Sequence, residues 1–227
     1  MDLAVYHNTL NFYINKYQGR YYTPDELDKV LDNGSLSLFS ELRPKYATSQ
    51  RMQDALAVFL ETYDFTTTNS ISGTAVIPSD KNFIALLSID IHYSISGRGT
   101  IYETVPIVSK DEKAIKLRSQ VDPVTETSPI AEVIAPRYYR IYPLQGYNGT
   151  ITYFRRPVAP HFAYTTISGR VIVYDPANST QLEWGDDFAQ SVILKALESI
   201  GINLSDQEIT QFAELKTMQN FQNINNT

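Results

Sequence analysis

Up to residue 64 the apolar positions recur every three or four residues, and after it they alternate with polar ones. Leu3, Tyr6, Leu10, Tyr13 and Tyr17 make one helical stripe, with Gly19 as its stop. Thr23-Pro24-Asp25-Glu26 combines a capping residue, a proline suited to the first helical position and a capping-box glutamate. The short helix it opens carries Leu27, Val30 and Leu31 and is expected to end at Asn33-Gly34. A weaker segment runs through Leu36 and Leu42 and stops near Pro44. Ser49 caps a further helix with Met52, Ala55, Leu56, Phe59, Leu60 and Tyr63 on one side.

Beyond Asp64, Leu87, Ile89, Ile91, Tyr93 and Ile95 alternate with Ser88, Asp90, His92, Ser94 and Ser96, which predicts a half-buried strand with one polar face. Gly97-Arg98-Gly99 breaks it, and residues 100–108 read as its partner. Ser109 with Glu112 forms a second capping box, opening a short polar helix through Ile115 and Leu117. Residues 119–136, rich in Pro, Thr, Ser and Glu, read as a long loop of the kind that is functional or bound to a partner. Residues 137–142 and 150–156 are expected to pair as a hairpin around residues 145–149. Residues 171–174 add a strand. Phe188, Val192, Ala196, Leu197 and Ile200 share a helical face that Gly201 can close in the left-handed conformation, with Ile202 touching Leu197. Ser205 and Glu208 then cap a last helix carrying Ile209, Phe212 and Leu215.

These segments do not alternate strand with helix, so a parallel βαβ sheet is not expected. The expected fold is α+β: N-terminal helices and a C-terminal helix pair form a bundle, with a mainly antiparallel sheet or sandwich between them in sequence. The expected divisions are 1–64, helical; 65–183, the β domain with the loop 119–136; and 184–227, helices completing the bundle and ending in a polar tail, 218–227. Residues 148–204, where sheet gives way to helix, are the expected junction of the two parts.

Composition narrows the chemistry. Within 227 residues no apolar run approaches the ~18 of a membrane-spanning helix, and the first residues carry no signal-peptide pattern. The absence of cysteine excludes a disulfide framework, a cysteine zinc site and a cysteine nucleophile. A net charge of −6 argues against binding nucleic acid through a general basic field. The 16 tyrosines suit surfaces that become buried against partners, and equally suit sheets.

No catalytic, cofactor-binding or metal-ligating set emerges, so no enzyme and no cofactor is expected. His7, His92 and His161 fall on a helix, a strand and a loop, without a second ligand at metal spacing. Asp90 and His92 share a strand face and are read as solvated. Glu183, Asp186 and Asp187 are read as helix caps. Arg155-Arg156 ahead of Pro157 is read as a solvated strand end, and Trp184 as a core anchor.

Several phrases, in order, resemble the head–tail connector (neck ring or adaptor) proteins of crAss-like and related short-tailed Bacteroidetes phages. They are TPDELDKVLDNGSLSLFSEL (23–42), RMQDALAVFL (51–60), IPSDKNFIALLSIDI (77–91), VDPVTETSPIAEVIAP (121–136), GTITYFRRP (149–157) and QLEWGDDFAQSVILKALESIGINL (181–204). Together they cover nearly the whole chain. One departure is SDKNF, where such proteins often carry an aromatic after the aspartate.

The resemblance implies a structural virion protein, assembled in the host cytoplasm, that forms a homo-oligomeric ring of twelve. The ring would dock on the portal and meet the next neck or tail ring. DNA would pass through its channel without sequence-specific binding, and no membrane would be involved. Two alternatives stay open: another virion component (tail tube, gateway or capsid-decorating protein), or a carbohydrate-binding β module that stacks sugars on Tyr and Trp184.

Overall fold

The computed structural model describes residues 1–17, 21–67, 73–95, 99–167 and 171–202. The expected helix beyond Ser205, the tail 218–227, Gly19 and the turn at Gly97-Arg98 lie outside the described residues. The chain is α+β, with helices at both ends and antiparallel sheets in the middle. No helix among the described residues is long and apolar enough to cross a membrane. Two compact units divide it: Met1–Val58 with Pro157–Thr227, and Phe59–Arg156. The β unit therefore begins before residue 65 and ends well before 183.

In the first unit, α1 (Leu3–Lys16) is capped by Asp2 and α2 (Pro24–Leu42) by the expected Thr23–Glu26 capping box. Asn33-Gly34 does not end α2. Instead α5 (Ala189–Ser199) lies so close there that a Cβ on Gly34 would sit 2.7 Å from the Ala196 backbone nitrogen and 2.8 Å from the Val192 carbonyl oxygen. The glycine serves the packing of two helices, which local sequence cannot reveal. Gly201 does take the left-handed conformation (φ +82°), and the Ile202 N–H donates to the Leu197 carbonyl at 3.0 Å, the bond of a Schellman cap.

Ser49 caps α3 (Gln50–Leu56), but helix gives way after a short 3-10 turn to strand β1 (Leu60–Thr66). Leu60 and Tyr63 are strand residues; the run Val-Phe-Leu-Glu-Thr-Tyr-Asp-Phe-Thr is rich in β-formers, and sheet pairing decides its state. The hairpin β9 (Tyr164–Ile167) and β10 (Val171–Tyr174) belongs to this first unit, because Tyr174 is tied to the start of α1. Its hydroxyl donates to Asp2 Oδ1 at 2.8 Å and accepts from Gln181 Nε2 at 2.7 Å, while Gln181 Oε1 accepts the Leu3 N–H at 2.7 Å.

Within that core, Tyr6 is fully buried and its hydroxyl has no hydrogen-bond partner among the described residues. Burial, and secondarily the Asp186 carboxylate, push its pKa up to about 12. An unfolded phenol ionises near ~10, so the unfolded chain releases this proton first. Stability is therefore intact below about pH 10 and falls as pH rises through the folded value. Tyr6→Phe is expected to raise unfolding free energy at neutral pH by about 1 kcal/mol, since an unsatisfied hydroxyl disappears, and to flatten the alkaline loss. Urea titrations of both proteins at neutral and alkaline pH check this; an unchanged alkaline slope refutes it.

The second unit is a β-sandwich. One sheet, in the order β1–β8–β3–β4, joins β1 to β8 (Asn148–Arg155), β3 (Phe83–Ile95) and β4 (Gly99–Thr104), all antiparallel. The other runs β2 (Thr74–Val76), β7 (Tyr138–Tyr142), β6 (Ile130–Ala135) and β5 (Ile107–Val108), with β5 and β6 parallel. Ile89, Ile91, Ile151 and Tyr153 from the first sheet meet Ala75, Ala131, Tyr139 and Ile141 from the second in one core.

Four expectations change here. Leu87 lies at a bulge between Leu86 and Ser88 and is exposed; Leu86 packs on the core in its place. The partner strand expected over 100–108 splits at Pro106, which has no N–H to continue the ladder, and Ile107 crosses to the other sheet. Residues 137–142 and 150–156 do not form a hairpin: β7 and β8 lie in different sheets. The connection is latched to the end of β1, where the Tyr147 N–H donates to Thr67 Oγ1 at 2.6 Å and the Thr67 N–H donates to the Tyr147 carbonyl at 2.8 Å. Finally, the expected loop 119–136 is loop only to residue 129. Ile130 and Ala131 are buried, and β6 is an interior strand.

Candidate functional site

The helical periods of α1 and α2 each place a polar residue on a buried apolar stripe: His7 beside Leu3 and Leu10, and Asp28 beside Leu27 and Leu31. His7 Nε2 lies 2.8 Å from Asp28 Oδ1, and Asp28 Oδ2 accepts the Phe162 N–H at 2.8 Å. His161 Nδ1 approaches the same oxygen at 3.8 Å, with its side chain 62% exposed. Phe162 stacks on His7 with ring centroids 4.4 Å apart, and on Tyr174 at 4.5 Å. A hollow of about 300 Å³ borders this stack, lined in part by Tyr21, Tyr22, Asn8 and Asn11.

The arrangement resembles the base and orienter of a hydrolytic triad. Among the described residues, however, His7 hydrogen-bonds only Asp28, so no nucleophile is within its reach. Both carboxyl oxygens of Asp28 are engaged. The pair works as a clamp joining α1, α2 and the segment before β9. Among the described residues no three His, Asp or Glu side chains are grouped to hold a metal ion. By spacing alone His7 and His161 stand isolated; the signal that links His7 to Asp28 is a polar residue on each of two apolar stripes.

Asp90 and His92 lie on the outer face of the first sheet, as expected. Cross-strand register builds two polar rows there, Asp64–Thr150–Asp90–Thr104 and Thr66–Asn148–His92–Tyr102. Thr104 Oγ1 and Ser88 Oγ donate to Asp90 at 2.5 and 2.9 Å, and Thr150 Oγ1 donates to Asp64 at 2.7 Å. His92 Nε2 is 3.3 Å from Thr150 Oγ1, and its ring meets Tyr102 edge-on. Hydroxyls satisfy the carboxylates, which makes this a hydrogen-bonded sheet surface rather than an acid–base pair.

Asp186 and Asp187 lie in the first turn of the 3-10 helix (Asp186–Phe188) that leads into α5, as expected, but neither they nor Glu183 is a side-chain cap. Gly185 and Phe188 occupy the cap positions without a side-chain hydrogen bond; Glu183 Oε2 accepts the Val158 N–H at 2.8 Å, and Asp186 pairs with the Met1 ammonium. Arg155 is not a solvated strand end either. Its side chain is folded in, with Nε 3.4 Å from Glu61 Oε1 and the guanidinium over the Phe59 ring. Trp184 is buried and donates from Nε1 to Ser35 Oγ at 2.8 Å, a core anchor that leaves no exposed indole for a sugar. Tyr6, Tyr13, Tyr139, Tyr147 and Tyr153 are likewise interior, whereas Tyr21 and Tyr102 stand in solvent.

A third polar group lies on the outer face of the second sheet, under helix α4 (Lys110–Lys116). Lys113 Nζ and the Tyr142 hydroxyl both donate to Glu132 Oε2, at 2.8 and 3.2 Å. These hydrogen bonds hold the Glu132 carboxyl below, and the Lys113 ammonium above, their ordinary ranges. Against known proteins, the chain matches no family model and no curated protein.

Proposed function

We propose that this chain is a structural subunit of a phage neck, a homo-oligomeric ring of twelve that docks on the portal around the DNA channel. The observation that carries this reading is the ordered set of connector-like phrases spanning nearly the whole chain. Two physical features support it. The net charge of −6 suits a passage that must not retain DNA through its phosphates. The excursion 119–129 and the adjoining α4 carry apolar side chains into solvent, with Ile115 70% and Val121 96% exposed. Side chains of that kind gain most by burial against a neighbouring subunit.

Because β6 is a sheet strand, the test confines itself to the excursion. Residues 120–128 are replaced by a Gly/Ser stretch of equal length, which removes Val121 and leaves Ile130 in place. The purified variant is expected to melt within a few degrees of the parent, while its incorporation into particles drops at least about tenfold. Undiminished incorporation would remove the excursion from the assembly contacts. A parent protein missing from the neck in electron cryo-microscopy of particles would overturn the ring reading itself.

A further inference from the structure

The groove between α4 and the outer face of β5, β6 and β7 is open to solvent and has a volume of about 620 Å³. Its charged lining is Lys110, Lys113, Arg140 and Glu132, three cations against one carboxylate, in a chain whose net charge is −6. Glu132 is already committed to Lys113 and Tyr142. Of the carboxylates on α4 and just after it, Glu112 closes the capping box on Ser109, Asp122 takes Lys116, and Asp111 stands exposed in the first turn of the helix. Glu132 faces Arg140 across the β6–β7 ladder, yet the Arg140 Nε–H is buried and has no hydrogen-bond partner among the described residues. The Arg140 charge is felt by the Glu132 carboxylate, but the buried Nε–H itself has no acceptor among the described residues, and native interiors rarely leave such a group unexplained.

The rest of the lining is aliphatic. Ile107, Val133 and Ile134 border the cations and are each about half exposed. We propose that this groove binds an aliphatic carboxylate: its oxygens pair with the Arg140 and Lys110 cations, and its hydrocarbon portion covers Ile107, Val133 and Ile134. The guanidinium fork matches a planar carboxylate. A small hydrated dianion such as phosphate would satisfy the cations but leave the aliphatic rim in water, and would stand closer to Glu132 with a larger negative charge. The carboxylate can belong to a free fatty-type acid or to a Glu side chain between aliphatic residues of a peptide. The proposal is independent of the ring reading.

The test is a titration of the full chain followed by backbone amide resonances, with valerate, a capped Ile-Glu-Ile tripeptide and inorganic phosphate as separate probes. Saturable shifts at Val108, Ser109, Glu132 and Arg140 are expected with valerate or the tripeptide at low-millimolar dissociation constants, on the order of 1–10 mM. The tighter of the two identifies the source. Arg140→Gln is expected to weaken that binding at least about tenfold. Lys110→Gln, at an exposed position, should weaken it by a smaller factor and serves in its place if the arginine variant does not fold. Saturation by phosphate as tight as by the carboxylates, affinity unchanged in the variants, or no saturation by either carboxylate would each overturn the proposal.

Discussion

Asp28→Ala is expected to cost about 3–5 kcal/mol, the range for breaking a buried, fully engaged polar pair. The carboxyl holds His7 and the Phe162 N–H at the same 2.8 Å distance, so its removal orphans a ring nitrogen and a backbone donor together. The ranking of variants separates this clamp from simple packing loss. Asp28→Asn keeps an acceptor and should lose only about 1–3 kcal/mol. The double replacement His7→Leu with Asp28→Leu removes the polar pair and leaves one orphan, the Phe162 N–H, so it should be less harmful than Asp28→Ala alone. Urea unfolding of the three variants checks the order; a double variant no better than Asp28→Ala would mean that shape, not polarity, sets the cost.

The second large effect carries a sign test. Ala is a better helix former than Gly by about 1 kcal/mol, and Gly34 lies in the middle of α2, so local propensity alone makes Gly34→Ala stabilising. At this position the added Cβ would stand 2.7–2.9 Å from backbone atoms of Val192 and Ala196. Backbone atoms cannot rotate away, so the two helices must part. We expect a net loss of about 1–3 kcal/mol for Gly34→Ala, the usual cost of overpacking, and a larger loss for Gly34→Val. Thermal unfolding decides the matter: a melting temperature above that of the parent would show that the crossing relaxes.

These two positions also show where the amino-acid pattern is sufficient and where it stops. The capping boxes at Thr23 and Ser109 and the left-handed Gly201 were legible because each motif closes within a few residues of itself. The α+β division was legible from the change of period near Asp64. Gly34 was not, because its reason lies some 160 residues away in α5. Leu60 and Tyr63 fit a helical stripe as well as a strand, and their partners in β8 made the choice. Residues 137–156 had strand character and a turn-forming segment, so a hairpin was the local answer, yet each strand found its neighbours in a different sheet. For the clamp, a histidine and an aspartate on apolar stripes were visible as anomalies. Their meeting across two helices was not, since no spacing encodes it.

Chain order gives the insertion of the second unit a kinetic consequence. Phe59–Arg156 is continuous, so on a ribosome it has all its strands before α5 has been made. At about 5–20 residues per second, the groove at Gly34 waits roughly 8–30 s after α2 is synthesised for α5 to fill it. The sandwich can form in that interval, whereas the face of α2 at Gly34 remains without Val192 and Ala196 of α5. The host unit, not the guest, is thus the aggregation-exposed half of the nascent chain.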